Sequence, residues 1–312
     1  MTQVVVALCL FFATYDAAQI QKRYNDVPSA LSSNGQFTVF IDLLTKSGLL
    51  ALVNNSPRFT LFAPTDAAFA RIPADTLAAI KNDPARLADV IGSHVVLESS
   101  SLVDSTKQDL ILKTYNKHSI RINDYYMMHT VTANGVNVTI RNIPVGHGFV
   151  NGIDGVIVAP SATTAQIIFS RADLSIISSL IVNGSLVNFL TADPDITSFL
   201  PNNDAFRGVS PNFLAYLQSH PEDFNETVQY HFVKSATLFS IGLLPSRTYS
   251  SANGYSDRLM VLEDDAGAVT INSAKIVQKD IIAKDGVIHI INKVLIPPSV
   301  LIHIADRGIV VG

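Results

Sequence analysis

TLFAPTDAAF occupies residues 60–69, and TSFLPNNDAF occupies residues 197–206, 137 positions further on. Each stretch reads as a short strand ended by a proline, Pro64 or Pro201, because a residue without an N–H cannot extend a hydrogen-bonded ladder. The polar pair that follows, Thr65-Asp66 or Asn202-Asn203, supplies side-chain oxygens able to cap the helix that comes next. Phe62 and Phe69, with their counterparts Phe199 and Phe206, are expected in the core. A junction written twice predicts a fold built twice.

The repeat extends well beyond these ten residues. At the same shift Phe40, Leu43, Leu44, Leu49, Leu52 and Val53 fall on Ile177, Leu180, Ile181, Leu186, Phe189 and Leu190. Apolar positions three and four apart give, in each copy, a helix with one buried face. Leu77 and Ile80 meet Leu214 and Leu217, Pro84 meets Pro221, Ile91 meets Val228, and His94 meets His231. These matches predict two short amphipathic helices, the second opened by a proline in its first turn, where the missing N–H costs nothing.

Further on the copies diverge. VTANGVNVTI (131–140) and LMVLEDDAGAVTI (259–271) both read as strand, Gly-containing turn and strand, and are paired with each other on that ground. Copy two then carries NSAKIVQKDIIAKD against the shorter RNIPVGH, which reads as an insertion. GFVNGIDGVIVAP (148–160) matches GVIHIINKVLIPP (286–298) at a shift of 138. The copies are therefore placed at residues 20–160 and 161–304. Each begins with helices and ends with antiparallel strands, so the class is α+β. A chain of 312 residues accommodates two domains of about 150 residues each.

These motifs resemble the fasciclin domain. Its first motif has the form Thr/Ser-x-Phe-Ala-Pro-Thr/Asn-Asp/Asn-x-Ala-Phe, and its end block the form Gly-Val-Ile-His-x-Ile-x-x-Val-Leu-x-Pro-Pro. Between them lies a Tyr-His pair, present here as Tyr230-His231. Copy one departs from the pattern with Ser93-His94, with Asn151 in place of His289, and with Ala159-Pro160 at its end. Copy two departs with Leu200 and with Asn202-Asn203. The resemblance implies a twisted antiparallel β wedge or sandwich with a cluster of helices. It also implies a non-enzymatic adhesion or matrix role, with no cofactor. In some animal relatives integrin binding is assigned to the Tyr-His region and to an Asn-Lys-Asp-Ile-Leu segment. Tyr230 and His231 match the first, and Lys279 and Asp280 lie in an approximate copy of the second, Gln278–Ile282. These four are the candidate partner-binding residues. No Arg-Gly-Asp is present, and integrin binding is not carried over to this chain.

Composition narrows the partners. Apolar residues make up 48% and charged residues 15%, ample for packed cores. With 22 Lys+Arg against 26 Asp+Glu, the net charge of −4 offers no basic surface for a phosphate backbone, so nucleic acid is not an expected partner. Val4 to Ala13 form an apolar run too short to span a bilayer but suited to a signal-peptide core, placed at residues 1–18. The only cysteine, Cys9, falls inside that run, so the mature chain is expected to have no disulfide. No later run is long enough for a transmembrane helix, and the C-terminal stretch, broken by His303, Asp306 and Arg307, lacks a lipid-anchor tail. The expected location is extracellular, in a cell wall or matrix, with a vacuole-like compartment left open. Asn-x-Ser/Thr sequons at Asn54, Asn137, Asn183 and Asn225 are the N-glycosylation candidates.

Catalytic and metal signatures are weak. The eight histidines show no His-Glu-x-x-His or His-x-His spacing, and neither copy has a Gly-x-Ser-x-Gly elbow. Glu263, Asp264 and Asp265 lack the alternating ligands of a calcium loop and read as a solvated turn. His94 and His231 are expected to be structural imidazoles bonded to polar neighbours. Two functions from different classes compete. The first is a tandem adhesion module whose partner is an extracellular matrix or cell-surface protein, or a cell-wall polysaccharide. Against it stands a secreted hydrolase or small-ligand carrier, with His231, His289 and Asp285 gathered in a pocket of copy two. A third possibility makes copy one a spacer. Burial of His231 in core packing favours adhesion.

Overall fold

The computed structural model describes residues 23–98, 109–125, 128–192 and 195–311. The expected signal peptide and Cys9 lie outside the described residues. The chain divides into two compact units, Met1–Ala159 and Pro160–Gly312.

Unit one opens with helices α1 (Val27–Ser32), α2 (Thr38–Lys46) and α3 (Leu49–Asn55). Strand β1 (Thr60–Pro64) follows, then α4 (Asp66–Ala70), α5 (Ala74–Asn82), α6 (Pro84–Gly92) and the short β2 (Val95–Val96). The unit ends in β3 (Leu110–Lys113), β4 (Ser119–Tyr125), β5 (Thr130–Ala133), β6 (Val136–Val145) and β7 (Gly148–Ile153). These seven strands form one sheet in the order β2-β1-β7-β6-β5-β4-β3. A bridge from Val96 to Thr114 links the β2 edge to the residue after β3, so the sheet nearly closes on itself. Closure of this kind leaves little exposed edge for another chain to pair with.

Unit two repeats the plan with α7 (Thr164–Ser170), α8 (Ser175–Asn183), α9 (Val187–Thr191), β8 (Ile196–Pro201), α10 (Pro211–Ser219), α11 (Pro221–Gln229) and β9 (Phe232–Val233). Strands β10 (Thr248–Ser251), β11 (Gly254–Glu263), β12 (Val269–Ile271), β13 (Ala274–Ala283) and β14 (Gly286–Ile291) complete it, in the order β10-β11-β12-β13-β14-β8-β9. Unit two adds a terminal helix, α12 (Pro298–Ala305), whose Val300 and Ile304 pack with Phe213, Tyr216 and Leu217 of α10.

Unit one has two apolar clusters and unit two has three. In unit one the first lies between helices and sheet around Phe40, Leu44, Leu61 and Ile91. The second lies within the curled sheet around Phe62, Ile120, Val131 and Ile153. Phe62 and Phe69, like Phe199 and Phe206, are buried as the repeat requires.

Two features differ from the sequence expectation. One pairing in each sheet is parallel, β1 with β7 and β8 with β14, so the strand of the first motif lies alongside the strand of the end block. The hairpins also correspond differently. VTANGVNVTI spans β5 and β6, whereas LMVLEDDAGAVTI spans β11 and β12, which match β4 and β5. The apparent insertion is no insertion, because β6 and β13 are both 10 residues long and bulge at equivalent points. Consecutive hairpins share one strand–turn–strand pattern, so periodicity alone cannot choose between neighbouring registers.

The parallel pair brings backbones unusually close at its first residue. A Cβ on Gly286 would lie 1.8 Å from the Ile196 carbonyl oxygen, and one on Gly148 would lie 2.4 Å from that of Phe59. Backbone cannot retreat as a side-chain tip can. Gly286→Ala is therefore expected to destabilise unit two by about 3 kcal/mol, with Gly148→Ala doing the same in unit one. Urea unfolding of the two variants measures it, and near-wild-type midpoints would contradict the register.

Candidate functional site

The repeated motifs converge on one place in each unit, the turn between the last helix of the first half and the short strand after it. Helix α6 starts at Pro84 behind Asp83, whose carboxylate accepts from the Ala85 and Arg86 N–H groups, and it ends at Ser93. His94 follows at once, fully buried, with its imidazole beneath the end block. Its Nδ1 lies 2.8 Å from the Val90 carbonyl, and its Nε2 accepts from the Ile157 N–H at 2.9 Å. His231 repeats this after α11, with Nδ1 2.9 Å from the Thr227 carbonyl and Nε2 accepting from Leu295 N–H at 2.9 Å.

The partners fix the protonation state. A backbone N–H can only donate, so Nε2 must carry a lone pair, and the proton sits on Nδ1, which donates to the carbonyl. Protonating Nε2 would set two N–H groups against each other in a buried site. Burial accordingly pushes both histidines down from 6.5 to about 4, against the opposing pull of the backbone carbonyls. Each ring therefore ties a helix end to the end block, as a neutral clamp with no nitrogen left for chemistry.

The end block has a second clamp. Asn142 and Asp280 sit at the β-bulge of β6 and β13 with φ of 53° and 58°. The Asn142 N–H donates to Asn151 Oδ1 at 2.8 Å, and the Asp280 N–H donates to His289 Nδ1 at 3.3 Å. His289 Nε2 donates to the Leu238 carbonyl at 2.8 Å, and the ring stacks on Phe199. Burial lowers the His289 pKa as well. Asn151 and His289, which differ between the copies, thus perform one task at the bulge with different side chains.

The first motif is also consumed by architecture. Thr60 and Thr197 donate their hydroxyls to the Glu98 and Ala236 carbonyls. Thr65 Oγ1 and Asn202 Oδ1 cap the following helical turn at Ala68 N and Ala205 N, as expected. The second residue of each pair does something the sequence reading missed. Asp66 reaches back to cap α2, accepting from Thr38 N, Thr38 Oγ1 and Val39 N. Asn203 caps α8 through Ile176 N. The separation of 27 residues is the same in both units, and that equality was a readable signal. Burial pushes the Asp66 carboxyl up, but these hydrogen bonds outweigh it and hold it below the usual carboxylate range.

The four candidate partner-binding residues fall into different environments. Tyr230 is 1% exposed; its hydroxyl donates to the Arg258 carbonyl and accepts from Asn272 Nδ2. Its counterpart Ser93 is likewise buried and donates to the Asp89 carbonyl. His231 is the clamp. Asp280 holds the Ser240 N–H and hydroxyl. Only Lys279 presents an exposed side chain. The pocket residues of the hydrolase reading are not gathered either. Asp285 accepts from Thr164 N and Oγ1, and the cleft that includes His231 contains neither Asp285 nor His289. Among the described residues no group of three or more His, Cys, Asp or Glu is placed to hold a metal ion, and no single helix is long and apolar enough to cross a membrane.

The clamp has a pH signature. In the unfolded chain a histidine takes up a proton near 6.5, but in the fold only near 4. Its stabilising contribution is therefore complete above pH 6.5 and is lost as pH falls toward 4, by roughly 3 kcal/mol per histidine. The carboxylates with lowered values, such as Asp66, act below this window, from about 3.8 downward. Thermal melting of wild type should fall between pH 7 and pH 4.5, and His94→Ala and His231→Ala should flatten that slope. Each substitution should also cost roughly 1–3 kcal/mol at neutral pH, because it leaves buried backbone groups unpaired. A wild-type melting temperature flat across that range would contradict the neutral clamp.

The Fasciclin domain family model matches residues 35–159 and 172–297. Human (Homo sapiens) Periostin is 26% identical over 243 residues, 77% of this chain and 28% of that protein. The transforming growth factor-beta-induced protein ig-h3 of Sus scrofa is 28% identical over 244 residues, 77% of this chain and 35% of its own length. The chain thus spans about a third of the length of these two relatives. The fasciclin-like arabinogalactan protein elcF of Phaeosphaeria nodorum is 24% identical over 304 residues, 91% of this chain and 92% of that protein. A solved FAS1 domain pair from the insect cell adhesion molecule Fasciclin I covers 85% of this chain and 98% of its own, with 17% identity and a TM-score of 0.38. With both units matched over most of their length, the chain belongs to the fasciclin-domain family.

Proposed function

We propose that this chain is a secreted, non-enzymatic binding protein of a cell wall or extracellular matrix. Two fasciclin modules would act in tandem on a matrix protein, a cell-surface protein or a wall polysaccharide. Family membership supports an adhesion-type role without catalysis. The observation that carries the reading is the fate of the repeated polar residues. His94, His231 and His289 each have both ring nitrogens bonded to backbone, so these three imidazoles are committed to the fold. Binding then belongs to exposed surface, where two linked modules gain avidity without stronger individual contacts.

Within this reading Lys279 is the contact residue of the four candidates, exposed on β13 beside the bulge that Asp280 stabilises. Tyr230 lies in the apolar cluster that includes Ala274 and Ile276 of β13. Glycans fit the same picture. Asn54 and Asn183 are exposed at the ends of α3 and α8, whereas Asn225 is half-buried with its Oδ1 enclosed and unbonded, and Asn137 is half-buried in β6.

Two measurements follow. Secreted from a eukaryotic host, the protein should carry glycans at Asn54 and Asn183 and none at Asn225, as read by mass spectrometry before and after enzymatic deglycosylation. On an array of matrix proteins and wall glycans the full chain should bind saturably. Lys279→Glu should weaken that binding at an unchanged melting temperature, while His231→Ala should lose binding only in proportion to folded protein lost. Hydrolytic turnover abolished by His231→Ala at wild-type melting would sink the non-enzymatic reading.

A further inference from the structure

The second unit holds a cleft of about 580 Å³ between α8, the 3₁₀ turn Asn203–Gly208, α10 and α11. That volume lies within the roughly 300–1,000 Å³ range of small-molecule sites. Its inner wall is hydrocarbon and phenyl, from Ile177, Phe206, Phe213 and Val228, with Ile176 and Leu214 nearer the opening. Ile177 stands where unit one has Phe40, whose ring lies 6.0 Å from that of His94. Isoleucine is the smaller side chain, and His231 lines the same cleft with both ring nitrogens already engaged.

The polar groups of the cleft decide what it accepts. Thr227 Oγ1 donates to the Asp223 carbonyl, and Asn203 bonds Ile176 N, the Ala172 carbonyl and Ser175 Oγ. The Thr227 hydroxyl proton and the Asn203 amide are therefore already engaged, and a polar group buried against the hydrocarbon of the inner wall would pay its desolvation. At the opening Arg207 and Asp204 pair at 3.0 Å, both well exposed, alongside Gln218. A charged head group would meet attraction and repulsion together. A hydroxyl or carbonyl could bond there without a net charge to balance.

We propose that this cleft is a binding site for an uncharged small amphiphile, with a hydrocarbon or aromatic body and one hydroxyl or carbonyl group. The site is separate from the adhesive surface and does not rest on that reading. Shape and dryness give affinity, and the neutral mouth gives selectivity against charged heads.

The test uses the full chain and N-phenyl-1-naphthylamine, an uncharged probe whose fluorescence rises in apolar surroundings. One probe per chain should bind saturably, and 1-decanol should displace it at lower concentration than decanoate or decylammonium. Ile177→Phe places the residue of unit one in the cleft and should weaken probe binding at least tenfold with the melting temperature kept. If that variant does not fold, Leu214→Trp, at a half-exposed position on the wall, should weaken binding by a similar factor. Absence of saturable binding to wild type overturns the proposal. So does a folded cleft-filling variant that binds as wild type does, or a charged competitor that outperforms decanol.

Discussion

A neutral imidazole held between a helix carbonyl and a backbone N–H of the end block is the constraint on which each module depends. Helix α6 or α11 ends at this point, the chain turns into β2 or β9, and the end block passes directly over the ring. Without the histidine, the Val90 or Thr227 carbonyl and the Ile157 or Leu295 N–H would be buried without these partners. The parallel pairing of β1 with β7, and of β8 with β14, brings the first motif and the end block side by side, and the imidazole secures the chain just after the second strand of each pair. The clamp works only while Nε2 is unprotonated, and burial enforces that state.

Around the clamp, the two modules keep tasks rather than letters. Asn151 and His289 both accept from the bulge residue at the same register, although one is an amide and the other an imidazole. Asp66 and Asn203 both reach back 27 residues to cap a helix, one as an anion and one as an amide. Ser93 and Tyr230 are both buried and hydrogen-bonded, the serine to Asp89 of its own helix and the tyrosine to Arg258 on β11. The modules also change volume, as from Phe40 to Ile177, and Ile177 lines the cleft of unit two. Divergence in a duplicated fold thus separates what geometry requires from what it leaves free.

Much of this was legible in the sequence, for identifiable reasons. The 137-residue repeat is gapless through His94 and His231, so the helices, the capped junction after Pro64 and Pro201, and the buried phenylalanines all followed from pattern. The end-block match at a shift of 138 placed the last strand. The parallel pairing was not legible, because a strand buried on both faces reads alike beside either kind of neighbour. The hairpin register was misassigned, since β4-β5 and β5-β6 present the same alternation around a turn. The reach of Asp66 to α2 was overlooked because capping was sought only in the following helix. At the candidate site, the shared register of the copies singled out His94 and His231, and both are buried with both ring nitrogens bonded to backbone. That register could not show that Tyr230 is buried with His231 while Lys279 is exposed, because exposure depends on which face of β13 turns outward.

The claim that each module is fastened by a histidine that stays neutral well below the ordinary imidazole range can be measured at the ring itself. In the protein labelled with ¹⁵N at histidine, the imidazole nitrogens of His94 and His231 report their protonation directly by nuclear magnetic resonance. The account predicts one protonated Nδ1 and one bare Nε2 in each ring, unchanged as pH falls from 7.5 to 5. Rings that titrate near 6.5 while the protein stays folded, or that carry the proton on Nε2, would contradict it.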